Sequence, residues 1–254
     1  MKTISEINKE FANQPESEWN NLFAFYQADE RSGVQNIIAK YRRLLDKQAA
    51  ELARTEQMKR YEYQYEQLGY VCGIDEVGRG PLAGPVVAGA VILPKDCQIL
   101  YLNDSKQLSA KKREELYDII MDKAVAVGLG FSSPKRIDEI NISQANYEAM
   151  REAITKLSVT PDILLNDAVT IPQVAIKQIP IIKGDTKSVS IAAASIVAKV
   201  TRDRMMEQYE EMFPGYEFAS NKGYGSKEHL EALRRMGATP IHRQSFIRRI
   251  VNGL

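Results

Sequence analysis

The chain has 254 residues, 44% hydrophobic and 26% charged, with a formal net charge of +1; such a chain can bury a sizeable core, as one large domain or as a main domain with an accessory piece. A balance this even gives no sign of a nucleic-acid partner for the chain as a whole, so only local asymmetry can carry one. The N-terminus lacks the apolar stretch of a signal peptide and the run 86–93 is too short to span a bilayer, so a cytoplasmic protein with no membrane partner is expected.

Thr3 and Glu6 stand at capping-box spacing, which places a short helix there. From about Arg31, Val34, Ile37, Ile38, Tyr41, Leu44, Leu45 and Leu52 recur at helical spacing and predict a long helix running to about Gln67. One amphipathic helix cannot bury its stripe alone, so residues 1–69 are read as a helical N-terminal extension that docks on something. Lys40, Arg42, Arg43 and Lys47 fall on its other faces and read first as a solvated helix face, with a nucleic-acid surface as the alternative.

At Gly69 the texture changes. Residues 70–74 read as a strand that stops at Asp75-Glu76, a turn rich in Gly and Pro follows over 78–85, and residues 86–93 read as a second strand ended by Pro94. Cys72 and Cys97 both flank apolar runs and form no disulfide framework or zinc cluster, so both are expected as reduced core residues. Helices are predicted over 109–123, capped by Ser109, over 143–157, from Ser188 or Ser190 towards Met212, and over 226–236. Further strands are predicted over 124–131, 163–165 and 179–182. Strands that run together first and then alternate with helices mean a mixed α/β sheet with helices on its faces.

Acidic residues end several of these strands. Asp75-Glu76 closes the first, Asp167 follows residues 163–165, and Asp185 follows residues 179–184. A charged pair at the end of a buried strand must be hydrated, paired or bound to metal. Clustered carboxylates suit hard cations such as Mg²⁺ and Mn²⁺, and with histidine only at 229 and 242 a histidine-built zinc site is disfavoured. Alone, Asp167 also reads as a turn-initiating residue and Asp185 as a helix cap.

Residues 78–83 formally match the loose GxGxxG/A dinucleotide pattern, but that motif must open a helix. Pro81 and Pro85 bracket the run and a strand follows, so the unit is a hairpin. Glycines there allow backbone to approach a ligand closely, and Arg79 between them can meet a phosphate. A plain tight turn would leave that arginine unexplained. Residues 222–249 add seven Lys or Arg against Glu228 and Glu231, a clearly basic tail.

Residues 73–86, with Asp75-Glu76-Val77-Gly78-Arg79-Gly80-Pro81 at their centre, resemble the opening signature of the bacterial ribonuclease HII family. The likeness continues through 104–108, 183–185, 190–203, 223–225 and 242–246, in order over roughly 70–250, and leaves the first 70 residues outside. It implies a ribonuclease H-like fold over 70–254: a mixed five-stranded sheet flanked by helices, with a C-terminal helical region from about 213. It implies an endonuclease acting on the RNA of RNA–DNA hybrids and on ribonucleotides embedded in duplex DNA, using two Mg²⁺ or Mn²⁺ ions. Asp75, Glu76, Asp167 and Asp185 carry over as catalytic and metal-binding residues, and Gly78, Arg79, Gly80 and Tyr224 as substrate-binding. Lys106, Lys183, Arg202, Arg243 and the tail are expected against phosphates. A monomer is expected, with any replication or repair partner left open. One detail departs from the family pattern: Asn166 takes a place usually held by a small aliphatic residue. Arg79 keeps to it and separates the chain from the sister type HIII.

Overall fold

A computed structural model describes residues 1–251. It divides into two compact units, Met1–Glu56 and Gln57–Leu254. In the first unit, α1 (Ile4–Asn13) opens with the capping box of Thr3 and Glu6. With α2 (Trp19–Tyr26) and α3 (Ser32–Met58) it encloses an aromatic core. Phe11 stacks on Tyr41 at 4.8 Å, and the Trp19 indole N–H donates to the Phe11 carbonyl at 3.0 Å.

The long helix ends at Met58 rather than near Gln67. A short α4 (Arg60–Tyr65) and a tight turn Glu66–Leu68 follow, and Gly69 stops them at φ +123°. A tertiary contact accompanies the break: Glu62 accepts from the Ser188 hydroxyl and the Ser190 amide, contacts that periodicity cannot foresee.

The second unit is built on a five-stranded sheet of order β3-β2-β1-β4-β5, comprising β1 (Val71–Val77), β2 (Val86–Ile92), β3 (Ala126–Ser132), β4 (Ile163–Asp167) and β5 (Lys177–Ile181). The first three pair antiparallel; β1, β4 and β5 are parallel. Helix α5 (Ala110–Lys123) links β2 to β3, and α6 (Pro134–Thr155) covers one face. That helix begins nine residues before the expected start at 143, because Asn141 kinks it at φ 68° and its side chain caps the second half through the amides of Ser143 and Gln144.

Helix α7 (Val189–Met212) covers the other face. Its backbone lies so close to β1 that a Cβ at Gly73 would stand 2.0 Å from the Ser190 carbonyl carbon. Beyond it, α8 (Phe218–Asn221), α9 (Lys227–Met236) and α10 (Gln244–Val251) form the C-terminal helical region. They share a core of Met206, Tyr216, Phe218, Leu233 and Ile247 with Ala83 of the glycine loop. Cys72 is fully buried and Cys97 half-buried, both as free thiols. No described helix is long and apolar enough to cross a membrane.

Candidate active site

Successive residues of a strand point to opposite faces of the sheet, and this divides the first acidic pair. Asp75 lies on the α7 side, against the Ser195 hydroxyl, and is only 6% exposed. Glu76 lies on the α6 side, near the Asn146 amide, with its Oε1 3.2 Å from Arg79 Nη1. Burial pushes the Asp75 carboxyl well above its ordinary range, and the charges of Glu76 and Asp167 push it further. Burial raises Glu76 too, against the pull of Arg79. Its Oε2 is buried with no hydrogen-bond partner.

Asp167 ends β4, parallel to β1, and its Oδ1 accepts from the Gly184 amide at 2.7 Å. That bond ties the strand end to the turn Gly184–Thr186, which carries Asp185. Burial raises Asp185 to about 6, with Asp104 and Asp167 adding like charge. Lys106 is exposed above the group. Burial opposes its charge, but Asp104, Asp75 and Asp185 outweigh that and hold the ammonium above its ordinary value.

The four acids and Lys106 thus act on one another electrostatically. Asp104 belongs with them, although sequence reasoning gave it no role; its place two residues before Lys106 in a turn was the available signal. Among the described residues, no three His, Cys, Asp or Glu side chains converge closely enough to hold a metal ion as they stand. The donor set nevertheless fits hard divalent cations. It is all oxygen and mutually repelling, its Asp75, Glu76 and Asp185 carboxyls are raised in pKa, and it holds an unpartnered buried carboxylate oxygen of Glu76; a bound cation would relieve each of these strains.

The glycine loop borders this group. Gly78 is required by the fold: φ is +92°, and a Cβ would stand 2.3 Å from Arg202 Nε. Gly80 is not, since its Cβ would meet only Tyr224 Cε1, at 3.8 Å. The expected readers Gly80 and Tyr224 are therefore neighbours, and Tyr224 is 44% exposed beside them. The Tyr224 carbonyl is held by His229 Nδ1 at 2.8 Å, and His229 Nε2 meets His242 Nε2 at 2.9 Å.

Arg79 is half-exposed, in reach of a ligand. Lys183 is exposed, as are Lys227, Arg234, Arg235, Arg248 and Arg249 of the tail. Arg202 and Arg243 overturn the expectation of phosphate contact. Both are 0% exposed, and their guanidinium groups donate to backbone carbonyls of the glycine loop. A run of basic residues in sequence gives no sign of which cations turn inward.

Comparisons with known proteins agree on one family. The family model described as Ribonuclease HII matches residues 72–249, and one described as Ribonuclease HII N-terminal domain matches residues 3–66. The chain is 61% identical over 249 residues to a Ribonuclease HII of Lachnoclostridium phytofermentans, covering 98% of each chain. It is 55% identical over 227 residues to a Ribonuclease HII of Enterococcus faecalis, covering 88% of each. Among solved structures it resembles ribonuclease H2 from Pyrococcus horikoshii OT3, with a TM-score of 0.61 and 30% identity over 72% of this chain and 98% of that one.

Proposed function

The chain belongs to the ribonuclease HII family of metal-dependent endonucleases, and on that premise we propose that it hydrolyses the RNA strand of RNA–DNA hybrids and cuts duplex DNA 5′ of an embedded ribonucleotide. The cut leaves 3′-hydroxyl and 5′-phosphate ends, which suits removal of RNA primers and misincorporated ribonucleotides. One observation supports the ribose reading above the rest: the fold has room for a side chain at residue 80, yet the residue is glycine, and the space beside it is bounded by Tyr224. A ligand that needs close backbone approach explains both.

Asp75, Glu76, Asp167 and Asp185 would hold Mg²⁺ or Mn²⁺, two ions in the working enzyme. Bound there, the cations supply positive charge against the phosphate and lower the pKa of bound water. In the reaction a water oxygen bonds to phosphorus, the bond from phosphorus to the 3′-oxygen breaks, and that oxygen leaves with a proton. Lys106 and Arg79 place positive charge beside the scissile phosphate. The amides of Arg79 and Gly80, with the Tyr224 hydroxyl, distinguish ribose from deoxyribose through the 2′-hydroxyl.

Cleavage of a labelled RNA–DNA hybrid with Mn²⁺ or Mg²⁺ tests this reading. Hydrolysis of the RNA strand alone is expected. Equal cutting of an all-DNA duplex would instead indicate a DNA nuclease of the same fold, and binding without cutting would indicate a passive nucleic-acid-binding protein.

A further inference from the structure

Two buried arginines donate to the backbone carbonyls of the glycine loop. Arg243 sends Nη2 to the carbonyls of Gly78 (2.5 Å) and Gly84 (2.8 Å), Nε to Gly84 (3.0 Å) and Nη1 to Arg79 (2.9 Å). Arg202 sends Nε to Pro85 (2.9 Å), Nη2 to Ala83 (3.0 Å) and Nη1 to Lys222 (2.8 Å). Every described hydrogen-bond partner of the two guanidiniums is a backbone carbonyl. Burial lowers Arg202 to about 10 and Arg243 to about 9. Charges that are this costly to bury mark a place where the fold has a specific use for a rigid, many-toothed donor.

Peptide geometry shows what that use is. A trans peptide is planar, with its C=O and N–H pointing opposite ways, and the described chain contains no cis bond. Turning the Gly78 carbonyl inward therefore turns the Arg79 N–H outward. Turning the Arg79 carbonyl inward does the same for the Gly80 N–H. Neither amide donates in any described backbone hydrogen bond, and both lie beyond the end of β1 at Val77.

We propose that Arg202 and Arg243 are positioning residues for substrate selection, holding the loop carbonyls inward so that the Arg79 and Gly80 amides present two free donors to one oxygen of the ribonucleotide backbone. The inference rests on the ribose reading above and adds the device that enforces it. Arg243 works directly on the two amides, and Arg202 anchors the far side of the loop to Lys222, two residues before Tyr224. The same clamp thus sets the amides and the tyrosine in one frame. The recognised oxygen is either the ribose 2′-hydroxyl or a neighbouring phosphate, and the two make different demands on the test.

The test uses the full chain carrying Arg243→Lys, with Arg202→Lys as a second variant, against a DNA duplex with one ribonucleotide and its all-DNA counterpart. A lysine keeps the charge but cannot reach several carbonyls at once. Thermal unfolding reports whether each variant is folded. A folded variant is expected to lose about a hundred-fold in kcat/KM on the one-ribonucleotide duplex, the scale for a misplaced positioning group. Its Kd for the all-DNA duplex should be unchanged if the oxygen is the 2′-hydroxyl and weakened if it is a phosphate. Normal kcat/KM in a folded variant overturns the proposal. Should neither variant fold, the wild type decides: the Arg79 and Gly80 amide resonances are expected to shift on adding the one-ribonucleotide duplex without metal. Unmoved resonances overturn the proposal. A parallel Gly80→Ala assay separates the levels, because selectivity that survives that change faults the ribose reading itself rather than the arginines.

Discussion

Gly80 and Tyr224 face each other across a gap that nothing in the protein fills: a Cβ on residue 80 would find Tyr224 Cε1 at 3.8 Å and no closer neighbour. The backbone there is not in the left-handed region, so alanine is compatible with the fold. Gly80→Ala is therefore expected to move the Tm by no more than about 2 °C, the scale of a surface substitution of about 0.5 kcal/mol. Its methyl would stand where the nucleotide approaches, and cleavage of a one-ribonucleotide duplex should fall by about a hundred-fold. Paired thermal unfolding and steady-state kinetics check this. A stable variant with normal kcat/KM would remove Gly80 from the binding surface. Gly78→Ala should do the reverse and lose stability first, since its Cβ collides with Arg202.

The Asp75 carboxyl makes a second expectation, with a sign that can be worked out. Its folded pKa is raised by burial and by Glu76 and Asp167, so it favours the fold fully only while protonated. That contribution is present below the unfolded value of about 4 and is lost as pH rises through the folded value. At pH 8 without metal, Asp75→Asn should be more stable than the wild type by a few degrees, and the difference should shrink as pH falls. Asp185, raised to about 6, is present in both proteins and lowers the stability of each as pH rises without adding to the difference. Cleavage should be abolished in the same variant, at least a thousand-fold by the scale of removing a central catalytic group. Calorimetry across pH checks the first half, and a variant less stable than the wild type at pH 8 would contradict it.

Much of the sheet can be read from sequence because β1, β2 and β4 are short apolar runs, but only Asp167 ends its strand: β1 does not stop at Asp75-Glu76 but pairs on through Val77, and Asp185 lies in the turn after β5. What cannot be read depends on direction. Asp75 and Glu76 are neighbours in sequence but point to opposite faces, so their partners, Ser195 and Asn146, come from α7 and α6. Basic residues near the C-terminus look alike in sequence, yet Arg248 is exposed and Arg243 is fully buried. Asn166 looked like a misplaced polar group beside Asp167. It is fully buried on the opposite face, where its Nδ2 donates to the Val169 carbonyl and to Gln178 Oε1, tying the loop between β4 and β5. Its Oδ1 has no partner, a cost the strand carries.

The histidine pair gives a third expectation. The Thr239 amide donates to His242 Nδ1, so the proton of neutral His242 sits on Nε2 and points at His229 Nε2; His229 then donates from Nδ1 to the Tyr224 carbonyl. An added proton on His242 Nδ1 would cost the Thr239 amide its acceptor and leave only the Thr239 hydroxyl to receive it. Burial accordingly lowers both, His242 to about 4. A base with a depressed folded pKa leaves the fold at full stability above its unfolded value of about 6.5 and weakens it as pH falls towards 4. At pH 5 the loss from His242 alone is about 2 kcal/mol. His242→Asn should be less stable than the wild type at pH 7.5 but flatter in its acid response. Urea unfolding at pH 7.5, 6 and 5 checks this, and parallel curves for the two proteins would contradict the assigned hydrogen-bond chain.

The most direct measurement is cleavage of an end-labelled DNA duplex carrying a single ribonucleotide, run with Mn²⁺ or Mg²⁺ and with wild type beside Asp75→Asn. The wild type is expected to make one cut on the 5′ side of the ribonucleotide, leaving a 3′-hydroxyl, to leave the all-DNA duplex intact, and to do nothing once the metal is chelated. Asp75→Asn should bind the duplex and leave it whole. Normal turnover by Asp75→Asn, or equal cutting of the two duplexes by the wild type, would contradict a carboxylate site guided by a ribose-reading glycine loop.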